Sequence, residues 1–185
     1  MPGVETRQPE GLLYRPDFIE LDEEAALLES VGRLDFREVT MHGQTARRTV
    51  RLYGYDYDYE GRELRPGDPL PDDLRWLRDR CAALAGLPPD DLVQALVSRY
   101  PAGAGIGWHR DAPMFGSKVV GVSLLSACRM RFQRRSGDGR LTYALDLEPR
   151  SAYVLAGSAR WAWQHSIPGT KALRYSITFR SLRRR

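Results

Sequence analysis

The chain has 185 residues, a formal net charge of +4 and two cysteines, Cys81 and Cys128; that length suits one domain with a real core. No apolar run approaches the roughly 20 residues of a membrane span, and the polar opening stretch Met1 to Glu10 does not read as a signal sequence, so no membrane partner is expected. Neither cysteine sits in a metal-spaced cluster, which points to reduced core thiols in a cytoplasmic protein, while the positive balance permits a polyanionic partner.

Only Lys118 and Lys171 among the 28 basic residues are lysines, and genomic base composition can equally produce such an arginine bias. In chain order, Asp22 can cap a first helix that runs to Val31, with Leu27, Leu28 and Val31 as its apolar stripe and Gly32 as its stop. The stretch after it is the least regular. Arg47 and Arg48 lead into Tyr53, Tyr55, Tyr57 and Tyr59, separated by Gly54, Asp56 and Asp58. If extended, this segment puts four phenol rings on one face beside arginines, a combination that can stack bases and track phosphates. The plainer alternative is a hairpin whose tyrosines pack over a rim. Arg47, Arg48, Tyr53 and Tyr55 are the candidate substrate contacts, and His42 reads as a loop residue.

Asp72 or Asp73 can cap a second helix, in which Leu74, Leu77, Cys81 and Leu84 recur at helical spacing until Gly86 and the Pro88-Pro89 break. From residue 92 onward, strand-like runs follow at 93–100, 104–109, 118–125, 128–133, 141–147, 152–156 and 172–180. Turn signals such as Ser136-Gly137-Asp138-Gly139 separate several of them. The expected fold is mainly β with N-terminal helices, an α+β chain whose many short strands form a sandwich or barrel. No repeat or linker divides residues 1–185, which read as a single domain and a monomer.

His109, Asp111 and His165 carry the chemistry. Positions i and i+2 share a face on an extended strand but not on a helix. Gly103, Gly105 and Gly107 argue against a helix there, so His109 and Asp111 can bind one metal. His165 lies in the alternating stretch Trp161-Ala-Trp163-Gln-His165, closed by the turn signal Pro168-Gly169. Two histidines and one carboxylate with open positions form the facial triad of non-heme Fe(II) oxygenases. Downstream, Arg174, Ser176, Thr178 and Arg180 share one face of a strand, and Tyr175, Ile177 and Phe179 share the other. The two arginine Cα atoms lie about 20 Å apart along it at roughly 3.3 Å per residue. Leaning inward, their planar guanidiniums leave about the span of a five-carbon diacid, and each matches a carboxylate bidentately. Arg183 to Arg185 read as plain solvated charge.

The runs SRYPAGAGIGWHRD, WQHSIPG and RYSITFR resemble the AlkB family of Fe(II)- and 2-oxoglutarate-dependent dioxygenases over about residues 93–181. The resemblance implies a double-stranded β-helix (jelly roll) core over 92–185, preceded by helices and a nucleotide-recognising lid over 1–91. It implies that His109, Asp111 and His165 bind iron and that Arg174 clamps the distal carboxylate of 2-oxoglutarate beside the Tyr100 hydroxyl. Arg180 then lies near the end that chelates iron. Ser98 stands where the family usually has Asn, which removes one expected hydrogen bond to the co-substrate. The implied reaction uses Fe(II), 2-oxoglutarate and O2 to dealkylate an N-alkylated base in single-stranded DNA or RNA, releasing succinate, CO2 and an aldehyde. Repair members often carry a second acidic residue two positions after the metal-binding Asp, and Pro113 stands there instead. The rival reading is the same oxidation of a protein side chain or small molecule.

Overall fold

The computed structural model describes residues 4–41, 44–58 and 63–183; His42 and Tyr59 lie outside that set. The front of the chain contains β1 (Val4–Thr6), β2 (Leu12–Arg15), α1 (Leu21–Gly32), β3 (Arg37–Met41), β4 (Gln44–Tyr53), β5 (Tyr55–Asp58), β6 (Glu63–Pro66) and α2 (Asp72–Ala85). A short 3-10 turn at Pro89–Asp91 leads to β7 (Gln94–Tyr100), β8 (Ile106–His109), β9 (Phe115–Leu124), β10 (Cys128–Ser136) and β11 (Gly139–Leu147). The chain closes with β12 (Ala152–Leu155), the one-turn helix α3 (Gly157–Trp161), β13 (Gln164–Ile167) and β14 (Arg174–Leu182).

Both predicted helices form, and their starts differ from expectation. The cap of α1 is Glu20, not Asp22: the Glu20 backbone N–H donates to Glu23 Oε2 at 2.9 Å, one half of a reciprocal capping box. Asp22 falls inside the first turn, where its charge still faces the positive end of the helix dipole. Asp72 and Asp73 likewise sit in the first turn of α2, whose cap position is Pro71. Gly86 ends α2 in the left-handed conformation, and the Leu87 N–H closes back on the Ala82 carbonyl at 2.9 Å.

Two large sheets hold most of the strands, a seven-stranded one in the order β2-β12-β9-β14-β7-β4-β3 and a five-stranded one in the order β1-β11-β10-β13-β8, and β5 pairs with β6 alone. Strand β14 is central, paired antiparallel with β7 on one side and β9 on the other. Its alternation therefore decides the layering. Tyr175, Ile177 and Phe179 join Leu27, Val31, Leu74, Leu77 and Cys81 in a core under the two helices. Burying each large aliphatic side chain contributes about 1.5–3 kcal/mol before entropy is counted. The opposite, polar face of β14 looks toward the smaller sheet, which adds its own core of Met130, Phe132, Leu141, Leu147 and Trp163. Glu23 and Arg80 tie the helices together through two 2.7 Å hydrogen bonds.

The front is less helical than the spacing predicts, because β3 and β4 extend the larger sheet from β7 and β1 pairs with β11. The four-tyrosine face does not form. Gly54, at φ +80 and with its Cα packed against the Val93 carbonyl, turns the chain between β4 and β5. That turn sends Tyr53 into the helix-side core, while Tyr57 packs edge-on against Phe115, ring centres 6.1 Å apart. The alternating stretch before His165 is also only half strand: Trp161 ends α3, and β13 begins at Gln164.

Candidate metal and co-substrate site

Strand pairing brings the three ligand candidates together. His109 ends β8, and its register partner on β13 is His165, so the two rings lie 4.2 Å apart between centres, tilted by 60°. Asp111 follows two residues later, with Oδ1 at 3.8 Å from His109 Nε2. Ligand atoms of His109, Asp111 and His165 all lie within 4.8 Å of one another. The His109 Nδ1–H donates to the Gly107 carbonyl at 2.9 Å, which leaves the Nε2 lone pair to a metal; such a partner fixes tautomer and ring direction. Burial pushes both imidazoles down, His165 to about 3, so both are neutral at pH 7. Burial alone would raise the Asp111 carboxyl, but the charges around it, that of the Arg180 guanidinium first, outweigh burial and hold it ionised. Two neutral imidazoles and one carboxylate fit a divalent iron.

Around this cluster the cavity is lined by Ser98, Tyr100, Tyr153, Arg48, Arg174 and Arg180. Arg174 is 1% exposed, and its Nη2 donates to Ser123 Oγ at 2.7 Å. Its Nε and Nη1 are buried with no protein acceptor. The Tyr100 ring lies between two guanidiniums, 5.0 Å from that of Arg174 and 5.9 Å from that of Arg48. Arg180 Nη2 reaches Asp111 Oδ1 at 3.3 Å, and its Nη1 donates to Gln94 Oε1 at 3.0 Å. Three buried arginines thus line one cavity with a single carboxylate among its described lining residues. Buried charge of one sign is costly unless paired, so the cavity is built for an anionic ligand, and a dicarboxylate suits both its charge and its bidentate donors.

The 2OG-Fe(II) oxygenase superfamily model matches residues 18–180. The chain belongs to this superfamily, in its AlkB-like branch. It is 32% identical to the alkylated DNA repair protein ALKBH8 homolog of Arabidopsis thaliana, over 87% of this chain and 51% of that protein. It is 30% identical to the mouse tRNA (carboxymethyluridine(34)-5-O)-methyltransferase ALKBH8, over 91% of this chain and 26% of that one. The chain therefore spans about half or less of these curated relatives. Among solved structures, it superposes on OsALKBH1 with a TM-score of 0.67 at 17% identity, covering 95% of this chain and 98% of that one. The TM-score is 0.64, at 16% identity, against a 2OG-Fe(II) oxygenase family oxidoreductase from Burkholderia pseudomallei, with 99% and 100% covered.

The AlkB-like chain places its candidate residues unevenly. His109, Asp111, His165, Ser98, Tyr100, Arg174 and Arg180 converge on one cavity. Arg47 and Arg48 part company, as neighbours on a strand must. Arg47 is exposed and lies over Gly103, whereas Arg48 is buried and donates to Ser98 Oγ at 3.1 Å. Ser98 therefore holds an arginine of the cavity wall. Tyr53 is in the helix-side core, away from the site. Tyr55 is half-buried, and its backbone carbonyl accepts from Gln94 Nε2 at 2.9 Å.

Two residues escaped sequence reasoning. Gln94 bridges Arg180 to β5. Arg160, on α3 and 2% exposed, donates to the carbonyls of Asp111, Ala112, Phe115 and Gly116 at 2.9–3.1 Å. That fork fixes the loop carrying Asp111. The only sequence signal for it was an arginine in an otherwise small, apolar run. Beside the cavity runs a groove of about 460 Å³ lined by Arg37, Thr40, Asp56, Tyr57 and Arg65, and sharing Arg48 and Arg180 with it.

Proposed function

We propose that the chain is a dioxygenase that uses Fe(II), 2-oxoglutarate and O2 to oxidise an alkyl group on a base of DNA or RNA. The metal and co-substrate, when bound, supply oxidation of a substrate C–H bond coupled to loss of CO2 and formation of succinate. On an N-alkyl group, the C–N bond of the hydroxylated product then breaks, the carbon leaving as an aldehyde while the bond pair stays on the base nitrogen, which takes up the proton lost by the hydroxyl. His109, Asp111 and His165 would hold the metal, Arg174 and Tyr100 the distal carboxylate, and Arg180 both Asp111 and the metal-proximal end. In this reading residues 1–185 are a single domain, the two sheets are the halves of a double-stranded β-helix, and the β5–β6 hairpin forms the lid over the groove.

The observation that carries the reading is the single cavity in which the triad meets two buried, unpartnered N–H groups of Arg174. One relative is named for alkylated DNA and another for a tRNA uridine, which supports a nucleic-acid substrate. The exposed Pro113 offers no carboxylate to an exocyclic amine, so base reading falls to the groove. Its Arg37 is held by Asp56 through hydrogen bonds of 2.7 and 2.6 Å. A screen for succinate and aldehyde release across methylated single-stranded DNA, RNA, tRNA and histone-like peptides tests the reading. Turnover of peptides alone would replace it with a protein substrate.

A further inference from the structure

Strand β8 is an edge of the five-stranded sheet. Its alternation sends His109 inward and Trp108 outward. Trp108 and Trp161, each 39% exposed, are the aromatic members among the exposed large hydrophobic residues described. Both are tied to arginines. The Arg131 guanidinium lies 5.1 Å from the Trp108 ring, and the Trp161 ring has the buried Arg160 guanidinium at 4.1 Å and that of Arg183 at 5.7 Å. Arg110, two residues after Trp108, donates to the Trp161 carbonyl at 3.2 Å. A continuous belt Arg131–Trp108–Arg110–Trp161–Arg183 therefore wraps the outside of the metal-binding segment.

The adjoining sheet face continues the charge. Arg129, Arg131 and Arg135 alternate outward on β10, and Arg135 is placed directly opposite Arg140 of β11. Like charges at facing positions destabilise a sheet, so the arrangement favours a bound anion. Asp146 offsets only Arg129, at 3.1 Å. Among the described residues, no carboxylate pairs with Arg110, Arg131, Arg135, Arg140 or Arg183.

We propose that this belt is a docking surface for the single-stranded polynucleotide that carries the target base, with Trp108 and Trp161 stacking flanking bases and the arginines contacting phosphates. The proposal rests on the nucleic-acid reading of the substrate. Aromatic platforms flanked by basic side chains are the chemistry that holds single strands without regard to sequence. An acidic polypeptide would satisfy the arginines but leave both indoles exposed.

The test is anisotropy of a fluorescein-labelled single-stranded oligoribonucleotide titrated with the full chain. Trp108→Ala and Trp161→Ala should each weaken binding by roughly five- to a hundred-fold, while Trp108→Phe and Trp161→Phe retain most of it. Arg131→Gln and Arg183→Gln should each flatten the plot of log affinity against log salt by about 0.7. Thermal unfolding checks that each variant is folded. Wild-type binding with undiminished affinity in both alanine variants would overturn the belt and leave the substrate reading standing. Failure of the wild type to bind any oligonucleotide at low salt would overturn the substrate reading, and the belt with it. Displacement of the oligonucleotide by polyglutamate at equal charge would show that charge alone is read, and would also refute the stacking role.

Discussion

Replacing Arg174 by lysine keeps the positive charge and changes only the geometry of the donors. The wild-type guanidinium spends Nη2 on Ser123 Oγ at 2.7 Å and keeps Nε and Nη1 for a ligand. Two parallel N–H donors can meet both oxygens of a carboxylate, and a lysine ammonium at the same place meets it as a point charge. The substitution therefore loses about one charge-assisted hydrogen bond, worth about 1.5–3 kcal/mol. That predicts a rise of roughly ten- to a hundred-fold in the 2-oxoglutarate concentration needed for half-maximal succinate formation. Ser123→Ala provides the graded control, since it frees the guanidinium to wander without removing a donor; a rise of roughly two- to ten-fold is expected. The assay is succinate release against 2-oxoglutarate concentration at fixed iron, with thermal unfolding beside it. An unchanged co-substrate dependence in folded Arg174→Lys would refute the clamp and turn attention to Arg48 and Arg180, the other buried guanidiniums of that cavity.

Alanine at His109, Asp111 or His165 should abolish 2-oxoglutarate turnover and leave a folded chain, because no fourth protein ligand is present among the described residues; full succinate production by any one of them would remove that residue from the triad. Arg160→Gln should cost about 3 kcal/mol, since it leaves several buried carbonyls short of a donor, and lower the melting temperature by roughly 6–12 °C for a chain of this size; differential scanning calorimetry reads it. Glu23 has its carboxyl held below the ordinary 4.5 by the Arg80 hydrogen bonds first. A depressed folded-state value adds stability that is complete above 4.5 and fades as pH falls below it, so Glu23→Gln should be less stable than wild type at pH 7 and indistinguishable from it near pH 2, by urea midpoint.

Local patterns proved legible wherever one strand supplied the whole signal. The split faces of Arg174 to Arg180 follow from the period of an extended chain alone. The same holds for the Leu74, Leu77 and Cys81 stripe of α2, which lies buried as its spacing requires. What stayed hidden depended on partners far along the chain. The tyrosine run alternates without fault in sequence, yet one glycine at φ +80 redirects it, and nothing local reveals that the Val93 carbonyl occupies the space beside Gly54. Arg47 and Arg48 look like one basic pair; which of them is buried depends on which face of β4 meets the interior, and that is fixed only by its pairing with β7.

Arg160 sharpens the point. It lies 49 residues from Asp111, on a five-residue helix with no amphipathic pattern to announce it. Its role follows from a requirement that the sequence does not express. The Asp111 carboxylate must leave an extended strand and still face the two histidines, so the loop after β8 turns several carbonyls into the interior. Such groups must be satisfied when water is excluded. A guanidinium offers five donors in a rigid fork, and here one fork serves four carbonyls, two in that loop and two at the start of β9. The ligand set is therefore held by two different devices: strand register aligns His109 with His165, and a buried arginine fixes the turn that brings Asp111 to them.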